Sequence, residues 1–289
     1  MPSYPKVSIV TPSFNQADYL ERTILSIITQ KYPNLEYIII DGGSTDGSAD
    51  IIRKYESSLS FWESTKDNGL YDALNKGFSK ATGEIMLWLN SDDMLHANSL
   101  STISDIFSNC PTVEWIQGIP TVFDTQNRTV DFRIPKSTRS YFFQSLNGVP
   151  IKFIQQESTA WRHSLWEKSG GCISTQYKFA GDFELWMRFF RYAPLFCVNA
   201  LIGGFRIRTQ NQLSFTYRDQ YLDEINRIAR REWELLKPAQ KTKIKFCQLY
   251  ENYFERAFVL SRVLRAVYHA CEDYPRYVHF SHETGHFYV

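Results

Sequence analysis

The stretch "EIMLWLNSDDML", residues 84–95, decides how this chain folds. Its first half is a run of apolar residues around Trp88, which predicts a buried strand. Its second half places two carboxylates side by side, Asp92 and Asp93, where that strand ends. Neighbouring carboxylates repel and raise each other's pKa, so the pair predicts either a bound cation or a solvated turn.

Strands and helices alternate on the N-terminal side of this stretch. "KVSIVTPSF" and "LEYIIIDGG" predict strands that end near Pro12 and Asp41, and "ADYLERTILSIITQ" and "GLYDALNKGFSKA" predict amphipathic helices. Such alternation predicts an α/β fold with a parallel sheet and right-handed crossovers. Ligands bind beyond the carboxyl ends of the strands in such sheets, so we expect Asp41 and the Asp92–Asp93 pair to line one crevice.

The composition changes near Thr216, where helices with mixed charges begin. We predict an α/β domain over residues 1–215, a C-terminal helical extension over 216–272, and a flexible tail over 273–289 that is rich in aromatic residues and histidine. The extension has an apolar face with basic flanks, which favours packing on the α/β domain or on a second subunit over peripheral membrane contact. The residues of that face are Phe246, Leu249, Tyr253, Phe254, Phe258, Leu264 and Val267.

The overall charge and the cysteines exclude several classes of function. The formal net charge is +1 over 289 residues, which argues against a nucleic-acid partner. The five cysteines form no C-x-x-C pair, which predicts reduced thiols rather than a disulfide framework or a zinc site. No signal-peptide pattern and no membrane-length apolar run is found, so we expect a cytoplasmic protein that could also attach at the inner face of the membrane.

Two polar stretches at predicted strand ends could bind a ligand. In "NSDD", Asp92 and Asp93 suit Mg²⁺ or Mn²⁺, which prefer oxygen ligands and bind through one or two carboxylates together with substrate phosphates. In "DGGSTDGS", Asp41 to Ser48, the glycines allow a ligand to approach closely, although the pattern is neither a dinucleotide loop nor a Walker loop. The alternative for this second stretch is a tight turn capped by an aspartate.

A further carboxylate begins a predicted helix in "FAGDFELWMRFF". Asp182 follows Ala180 and Gly181, whose small size is expected to leave room for a substrate. A carboxylate in that position could act as a general base towards a hydroxyl group.

Three motifs, taken in order, resemble those of the family-2 glycosyltransferases of the GT-A fold. They are "VSIVTPSFNQADYLERTILSIITQKYPNLEYIIIDGGSTDGS", "DNGLYDALNKGFSKATGEIMLWLNSDD" and "GDFELWMRF". The likeness extends over about residues 5–215. It implies an inverting transfer of a sugar from a nucleotide-diphosphate donor, usually a UDP-sugar, to a hydroxyl of a glycan or lipid-linked acceptor, assisted by Mn²⁺ or Mg²⁺.

The resemblance also implies roles for individual residues. Asp182 stands at the position of the catalytic base, and Asp92 and Asp93 stand in the region of the metal-binding motif. The nucleotide-sugar contacts that it implies are Thr11, Pro12, Asp41, Asp67, Asn68, Asn90, Ser91, Asp92, Arg206 and Arg208. The acceptor-side residues that it implies are Glu157, Trp161, Arg162, Glu184 and Trp186.

Two other interpretations remain open. A nucleotidyltransferase of similar fold would carry a basic, glycine-rich loop after the first strand, and "TPSFNQADY" contains neither Lys nor Arg. A non-catalytic module that binds sugar nucleotides or carbohydrate would have no need of Asp92, Asp93 and Asp182, which are all present. Sugar transfer is therefore the favoured hypothesis.

Overall fold

A large mixed sheet forms the centre of the fold in the computed structural model, which describes residues 4–147, 153–208, 216–251, 261–271 and 273–289. The strands are β1 (Val7–Ser13), β2 (Leu35–Asp41), β3 (Phe61–Ser64), β4 (Ile85–Trp88), β5 (Met94–Leu95), β6 (Trp115–Gln117), β7 (Thr121–Phe123), β8 (Thr129–Phe132), β9 (Thr159–Arg162), β10 (Phe196–Val198), β11 (Gly203–Arg206), β12 (Arg276–Phe280) and β13 (Phe287–Tyr288). The α-helices are α1 (Ala17–Ile28), α2 (Ser48–Lys54), α3 (Leu70–Phe78), α4 (Ser99–Asn109), α5 (Arg139–Phe142), α6 (His163–Lys168), α7 (Gly181–Phe189), α8 (Arg218–Leu235), α9 (Pro238–Leu249) and α10 (Ser261–Ala270).

The sheet has nine strands in the order β13-β12-β10-β6-β9-β4-β1-β2-β3, and a smaller sheet has the order β5-β11-β7-β8. Strands β3, β2, β1 and β4 run parallel to one another, whereas β9 is antiparallel to both β4 and β6. The predicted α/β fold with a largely parallel sheet is confirmed for the first hundred residues. We call the edge at which β1, β2, β3 and β4 end the crevice edge.

Hydrophobic cores cover both faces of the large sheet. Along β1, Val10 packs into one cluster with Trp161 and Trp186, while Val7 and Ile9 pack into the other. Parallel strands buried on both faces read as continuous apolar runs, which explains why "YIII" in β2 shows no alternation with polar residues.

A buried carboxylate joins the starts of these strands. Glu36 in β2 accepts hydrogen bonds from Lys6 Nζ and Ser8 Oγ at 2.5 Å each and from the Thr82 N–H at 2.7 Å. Burial raises the pKa of Glu36, but these hydrogen bonds outweigh it and hold the pKa at about 2. The network lies at the edge opposite the crevice edge and is therefore structural.

The C-terminal helices pack on the α/β domain. Ile225, Ile228 and Ala229 of α8 are fully buried and belong to the same core cluster as Trp186. Helix α8 therefore packs on the domain. On the predicted apolar face, which lies further along the chain, Leu249 and Val267 are 48% and 44% exposed, so the predicted packing of that face stays a prediction. The predicted face residues Tyr253, Phe254 and Phe258 lie outside the described residues. A helix able to span a bilayer is not found in the part of the chain that the structure describes.

The prediction of a flexible tail is wrong for the last strands. Strand β12 pairs in parallel with β10, β13 pairs with β12, and Val278 is buried. Strand β12 obtains its backbone hydrogen bonds from β10, about 80 residues earlier in the chain, and β13 then pairs with β12. The aromatic and His-rich residues therefore form two strands, although their sequence shows no alternating pattern.

Candidate active site

The loops that follow β1 and β2 are tied to each other at the crevice edge. The Asn15 N–H donates to Ser44 Oγ at 2.8 Å, the Thr45 N–H donates to Asn15 Oδ1 at 3.0 Å, and the Ala17 N–H donates to Asp46 Oδ2 at 2.9 Å. These hydrogen bonds fix the two loops to each other, so that together they form one wall of the predicted crevice, on the side where the nucleotide is expected.

Asp41 caps the turn after β2. Its carboxylate accepts hydrogen bonds from the N–H groups of Gly43 and Ser44 at 3.2 and 2.9 Å, and from the hydroxyls of Ser44 and Ser64 at 2.5 and 2.6 Å. The side chain is fully buried, so the turn alternative is the one observed for Asp41. Asp67 lies beside this turn, because a Cβ on Gly42 would be 2.8 Å from Asp67 Oδ2.

The other residues predicted on the nucleotide side differ in exposure. Thr11 is fully buried and accepts a hydrogen bond from the Tyr37 hydroxyl at 3.3 Å, and Pro12 is buried within β1. Asn68 is exposed just before α3, next to the half-buried Asp67. Thr11 and Pro12 therefore support the sheet, and Asp67 and Asn68 border the crevice.

The two adjacent aspartates face in different directions. Asp93 is 1% exposed and accepts hydrogen bonds from the Arg206 N–H at 2.8 Å and from Asn90 Nδ2 at 3.1 Å. The side chain of Asp92 is 15% exposed and forms an ion pair with Arg208 at 3.0 Å. Asp92 therefore borders the crevice, whereas Asp93 is held inside the protein. Ser91 between them and β4 is buried as well.

Repulsion within this acidic group is relieved by protonation and by arginine. Burial raises the pKa of Asp92, and Arg208 opposes that rise. Burial and the neighbouring Glu157 raise the pKa of Asp93 well above its ordinary value. Burial also raises the pKa of Glu157 to about 8, and Glu157 shares a hydrogen bond with Asp93. The Asp93–Glu157 pair therefore retains a proton at neutral pH.

The donor set fits a hard divalent cation only in part. Carboxylate oxygens are the ligands that Mg²⁺ and Mn²⁺ prefer, and Asp92 reaches the crevice. Asp93 does not fit as a ligand, because both of its oxygens accept N–H hydrogen bonds inside the protein. Among the described residues, no group of three His, Cys, Asp or Glu side chains is arranged to hold a metal. A cation would therefore depend on Asp92 and on oxygen atoms of a substrate.

The two predicted arginines have different positions. Arg206 is fully buried, its Nε donates to the Asp92 carbonyl at 2.6 Å, and its guanidinium also bonds Asn127 Oδ1. Arg208 bonds Asp92 and donates to Gln16 Oε1 at 2.9 Å, so it links the loops after β1 and β4. Arg206 therefore positions the acidic loop, and Arg208 borders the crevice.

Asp182 lies in the first turn of α7 and is partly buried. Burial raises its pKa to about 6, although N–H groups of the first turn and the Tyr221 hydroxyl oppose the rise. Its Oδ1 is a buried atom without a hydrogen-bond partner in the described part of the chain. Asp92 and Asp182 are both close enough to Glu157 to raise its pKa, so the three acids share one site.

The small residues before Asp182 make room for a side chain and not for a substrate. The Gly181 N–H donates to the Tyr71 hydroxyl at 2.8 Å, and a Cβ on Gly181 would be 2.6 Å from Tyr71 Cζ. The expectation that Ala180 and Gly181 leave space for a substrate is thus corrected, because the Tyr71 ring fills that space.

Helix α8 contributes residues that the sequence analysis missed. The Glu224 carboxylate accepts the N–H groups of Lys178, Phe179 and Ala180 at 2.8 to 2.9 Å, which holds the segment leading to Asp182. Tyr221 of the same helix bonds Asp182 directly. In the sequence, Glu224 appears as a glutamate among helically spaced apolar residues in "DEINRIAR". That pattern indicates that this position of the helix could be buried, but it does not show which backbone groups the carboxylate contacts.

Most residues predicted on the acceptor side do not reach the crevice. Trp161 and Trp186 are 0% and 1% exposed and pack against each other in the core. Glu184 is 3% exposed and forms ion pairs at 2.9 Å with Arg188 and Arg231. These three predictions are corrected, because their side chains point into the fold. Glu157 is the member of the set that lies beside the acids.

Arg162 lies at the wrong end of the sheet for an acceptor contact. Strand β9 is antiparallel to β4, and its last residue, Arg162, pairs with Ile85 at the start of β4. The guanidinium bonds Glu84 at 3.0 Å and the carbonyls of Val113 and Phe107 at 2.9 and 2.7 Å. The antiparallel direction thus brings Glu157 to the crevice edge and Arg162 to the opposite one.

The family model described as "Glycosyl transferase family 2" matches residues 8–167, more than half of the chain. The chain belongs to glycosyl transferase family 2.

A bacterial glycosyltransferase is similar to about a third of the sequence. The putative teichuronic acid biosynthesis glycosyltransferase TuaG of Bacillus subtilis is 39% identical over 92 residues, which are 31% of this chain and 36% of that protein. The chain spans about a third of the length of the curated relatives that it matches at this level.

Solved structures share the fold over nearly the whole chain. TarS residues 1–349 of S. aureus, in complex with UDP-GlcNAc, has a TM-score of 0.66 at 17% identity and covers 92% of this chain and 79% of its own. The mannosyltransferase PcManGT of Pyrobaculum calidifontis, in complex with GDP-Man and Mn²⁺, has a TM-score of 0.57 at 17% identity and covers 93% and 86%. The predicted GT-A fold with a helical C-terminal part is confirmed.

Proposed function

We propose that this family-2 enzyme transfers a hexosyl or N-acetylhexosaminyl group, with inversion, from a UDP-sugar to a hydroxyl of a glycan or lipid-linked acceptor. One observation carries the proposal. Asp182, with a buried oxygen that has no hydrogen-bond partner among the described residues and a pKa of about 6, shares a site with Asp92 and Glu157. A carboxylate with that pKa is ionised at neutral pH and can accept a proton.

The chemical step is a single displacement. The acceptor oxygen forms a bond to the anomeric carbon while the bond from that carbon to the diphosphate oxygen breaks. The acceptor's proton passes to Asp182, and the bonding electrons leave with the nucleoside diphosphate. Tyr71, Tyr221 and Glu224 hold Asp182 in place during this step.

Asp92 is the side chain that would hold a divalent cation, and Arg208 would turn to the donor's diphosphate. When bound, the cation supplies positive charge that stabilises the leaving diphosphate. Asp93 positions the loop from inside, through its hydrogen bonds to Asn90 and Arg206. The Mn²⁺ in the PcManGT complex supports a cation in this role.

The nucleoside would lie along the turn capped by Asp41, with Asp67 and Asn68 beside the base. The UDP-GlcNAc in the TarS complex supports a UDP-sugar, and the GDP-Man in the PcManGT complex is the competing donor class. The name of TuaG, a putative teichuronic acid biosynthesis glycosyltransferase, supports an acceptor that takes part in the biosynthesis of such a compound. Glu157, which lies beside Asp92 and Asp182, would face the acceptor.

The test is a donor screen with and without Mn²⁺. We expect UDP-GlcNAc or another UDP-sugar to raise the melting temperature with Mn²⁺ present, because a bound donor stabilises the fold. We expect release of UDP on addition of an acceptor, and its loss in Asp182→Asn with donor binding retained. Donor binding without any release would favour a non-catalytic binding module, and full activity of Asp182→Asn would refute the assignment of the base.

A further inference from the structure

A cavity of about 310 Å³ opens at the edge of the sheet opposite the crevice edge. The turn of residues 190–195 between α7 and β10, the segment before α5, helix α9 and the start of β12 form its walls. Because β10 and β12 begin there, the cavity is separate from the site of Asp182.

The cavity is lined by more cations than anions. Its charged lining residues are Arg139, Arg191, Lys243, Arg276 and Asp273. Arg191 is ion-paired with Glu232, to which it donates through Nε at 2.9 Å and through a second guanidinium nitrogen, and Glu232 also accepts a hydrogen bond from Arg231 at 3.0 Å. Asp273 is the remaining acid of the lining. It accepts hydrogen bonds from the N–H groups of Arg139 and Ser140, and its buried Oδ2 has no hydrogen-bond partner within the described residues. The three other cations of the lining outnumber it.

The two half-buried arginines have capacity left for a ligand. The Nε atoms of Arg139 and Arg276 are buried and lack a hydrogen-bond partner within the residues that the structure describes. Aromatic rings cover part of each guanidinium, Phe143 at 6.0 Å for Arg139 and Phe196 at 5.9 Å for Arg276. Burial lowers the pKa of Arg139. The nearby acids Asp273 and Glu232 therefore do not fully replace the favourable interactions with water that the guanidinium loses on burial.

Lys243 adds an exposed charge to the lining. Its neighbours along α9, Lys241 and Lys245, both lie over the ring of Trp233 with 5.8 Å between the ammonium and the ring centroid. Lys243 is exposed and lines the cavity instead. The floor is polar as well, because Ser137 and Thr138 are buried there.

We propose that this cavity binds a phosphate group, as a phosphomonoester or a diphosphate. Planar guanidinium groups with free N–H positions match the oxygens of a tetrahedral dianion, and a flexible ammonium completes the charge. The volume exceeds that of one phosphate, so a group attached to the phosphate also has room. The inference does not rest on the proposed sugar transfer.

The test measures binding of inorganic pyrophosphate by calorimetry. Lys243→Gln removes an exposed charge without a core contact, so the fold is retained, and we expect affinity to fall on the order of threefold to tenfold. Arg139→Gln/Arg276→Gln should abolish the binding at this cavity. The matched control Arg53→Gln/Lys80→Gln removes two charges from the opposite end of the sheet and should bind like the unaltered protein.

A second experiment distinguishes a lipid headgroup from a soluble phosphate ester. It measures flotation of the protein with phosphatidylcholine vesicles that contain or lack phosphatidic acid. Flotation that requires phosphatidic acid and Lys243 supports a lipid headgroup, and calorimetric binding without flotation supports a soluble phosphate ester. Pyrophosphate affinity that is equal in Lys243→Gln, in the double variant and in the control would overturn the proposal, as would the absence of binding.

Discussion

Replacing Asp182 by Asn should make the protein more stable and less active at the same time. The pKa of Asp182 is about 6 in the folded protein against an ordinary value of 3.8. The folded state therefore prefers the protonated form, and the corresponding stability is present below about pH 3.8 and is lost as the pH rises through about 6. At neutral pH the ionised carboxylate costs the folded state free energy.

The magnitude follows from the difference between the two pKa values. One pKa unit is equivalent to about 1.4 kcal/mol, so the full cost of ionisation approaches about 3 kcal/mol above both values. Because the side chain keeps some contact with solvent, we expect about 2 kcal/mol. Asparagine has nearly the same shape and no charge, so it should recover most of this free energy.

The assay is urea denaturation at about pH 8 and about pH 4, together with the rate of UDP release. We expect Asp182→Asn to raise the free energy of unfolding at the higher pH and to have little effect at the lower one. Its turnover should fall by about 10²- to 10⁴-fold, because the general base is lost. Asp219→Asn, at an exposed position in the first turn of α8, is the matched control; it should leave turnover unchanged and lower the free energy of unfolding by less than about 1 kcal/mol through loss of its helix-dipole interaction.

Two results would refute this reasoning. A loss of stability in Asp182→Asn at about pH 8 would mean that the folded protein stabilises the ionised carboxylate. That result would contradict the expectation drawn from its unpartnered Oδ1. A gain of equal size at both pH values would mean that the gain arises from packing and not from the charge.

Three further changes probe neighbouring parts of the structure. Tyr221→Phe removes a hydroxyl that lowers the pKa of Asp182, so the acidic limb of the pH–rate profile should move up by about half a unit to one unit; an unmoved limb would show that the hydroxyl does not contact the base. Glu36→Gln should cost about 2 kcal/mol at neutral pH, a contribution present above about pH 4.5 and lost as the pH falls through about 2, so urea denaturation near pH 2 should show little difference; a pH-independent loss would contradict the low pKa. Gly181→Ala places a methyl group 2.6 Å from the Tyr71 ring and should lower stability by about 1–3 kcal/mol in thermal melts; an unchanged melting temperature would show that the ring can move aside.

The sequence by itself predicted the order of the N-terminal elements and the place where ligands meet them. The apolar runs before Asp41 and Asp92 showed that strands end there, and the carboxyl ends of parallel strands share one edge. Periodicity is a local property, so it can show which residues are buried and where a strand stops. Asp182 was found in the same way, as an acid at the start of an apolar helix.

Only the tertiary structure decided how the acids of the crevice differ. Asp93 turns inward because Arg206 of β11, 113 residues later in the chain, donates its N–H to the carboxylate. Arg162 lies far from the crevice because β9 is antiparallel to β4. The spacing of apolar residues is the same for either strand direction, so the sequence could not predict this. Tyr221 bonds Asp182, and Glu224 holds the segment before it, from a helix that the sequence assigned to a separate extension. Contacts of this kind depend on which distant elements pack together, and a local pattern carries no information about the identity of that partner.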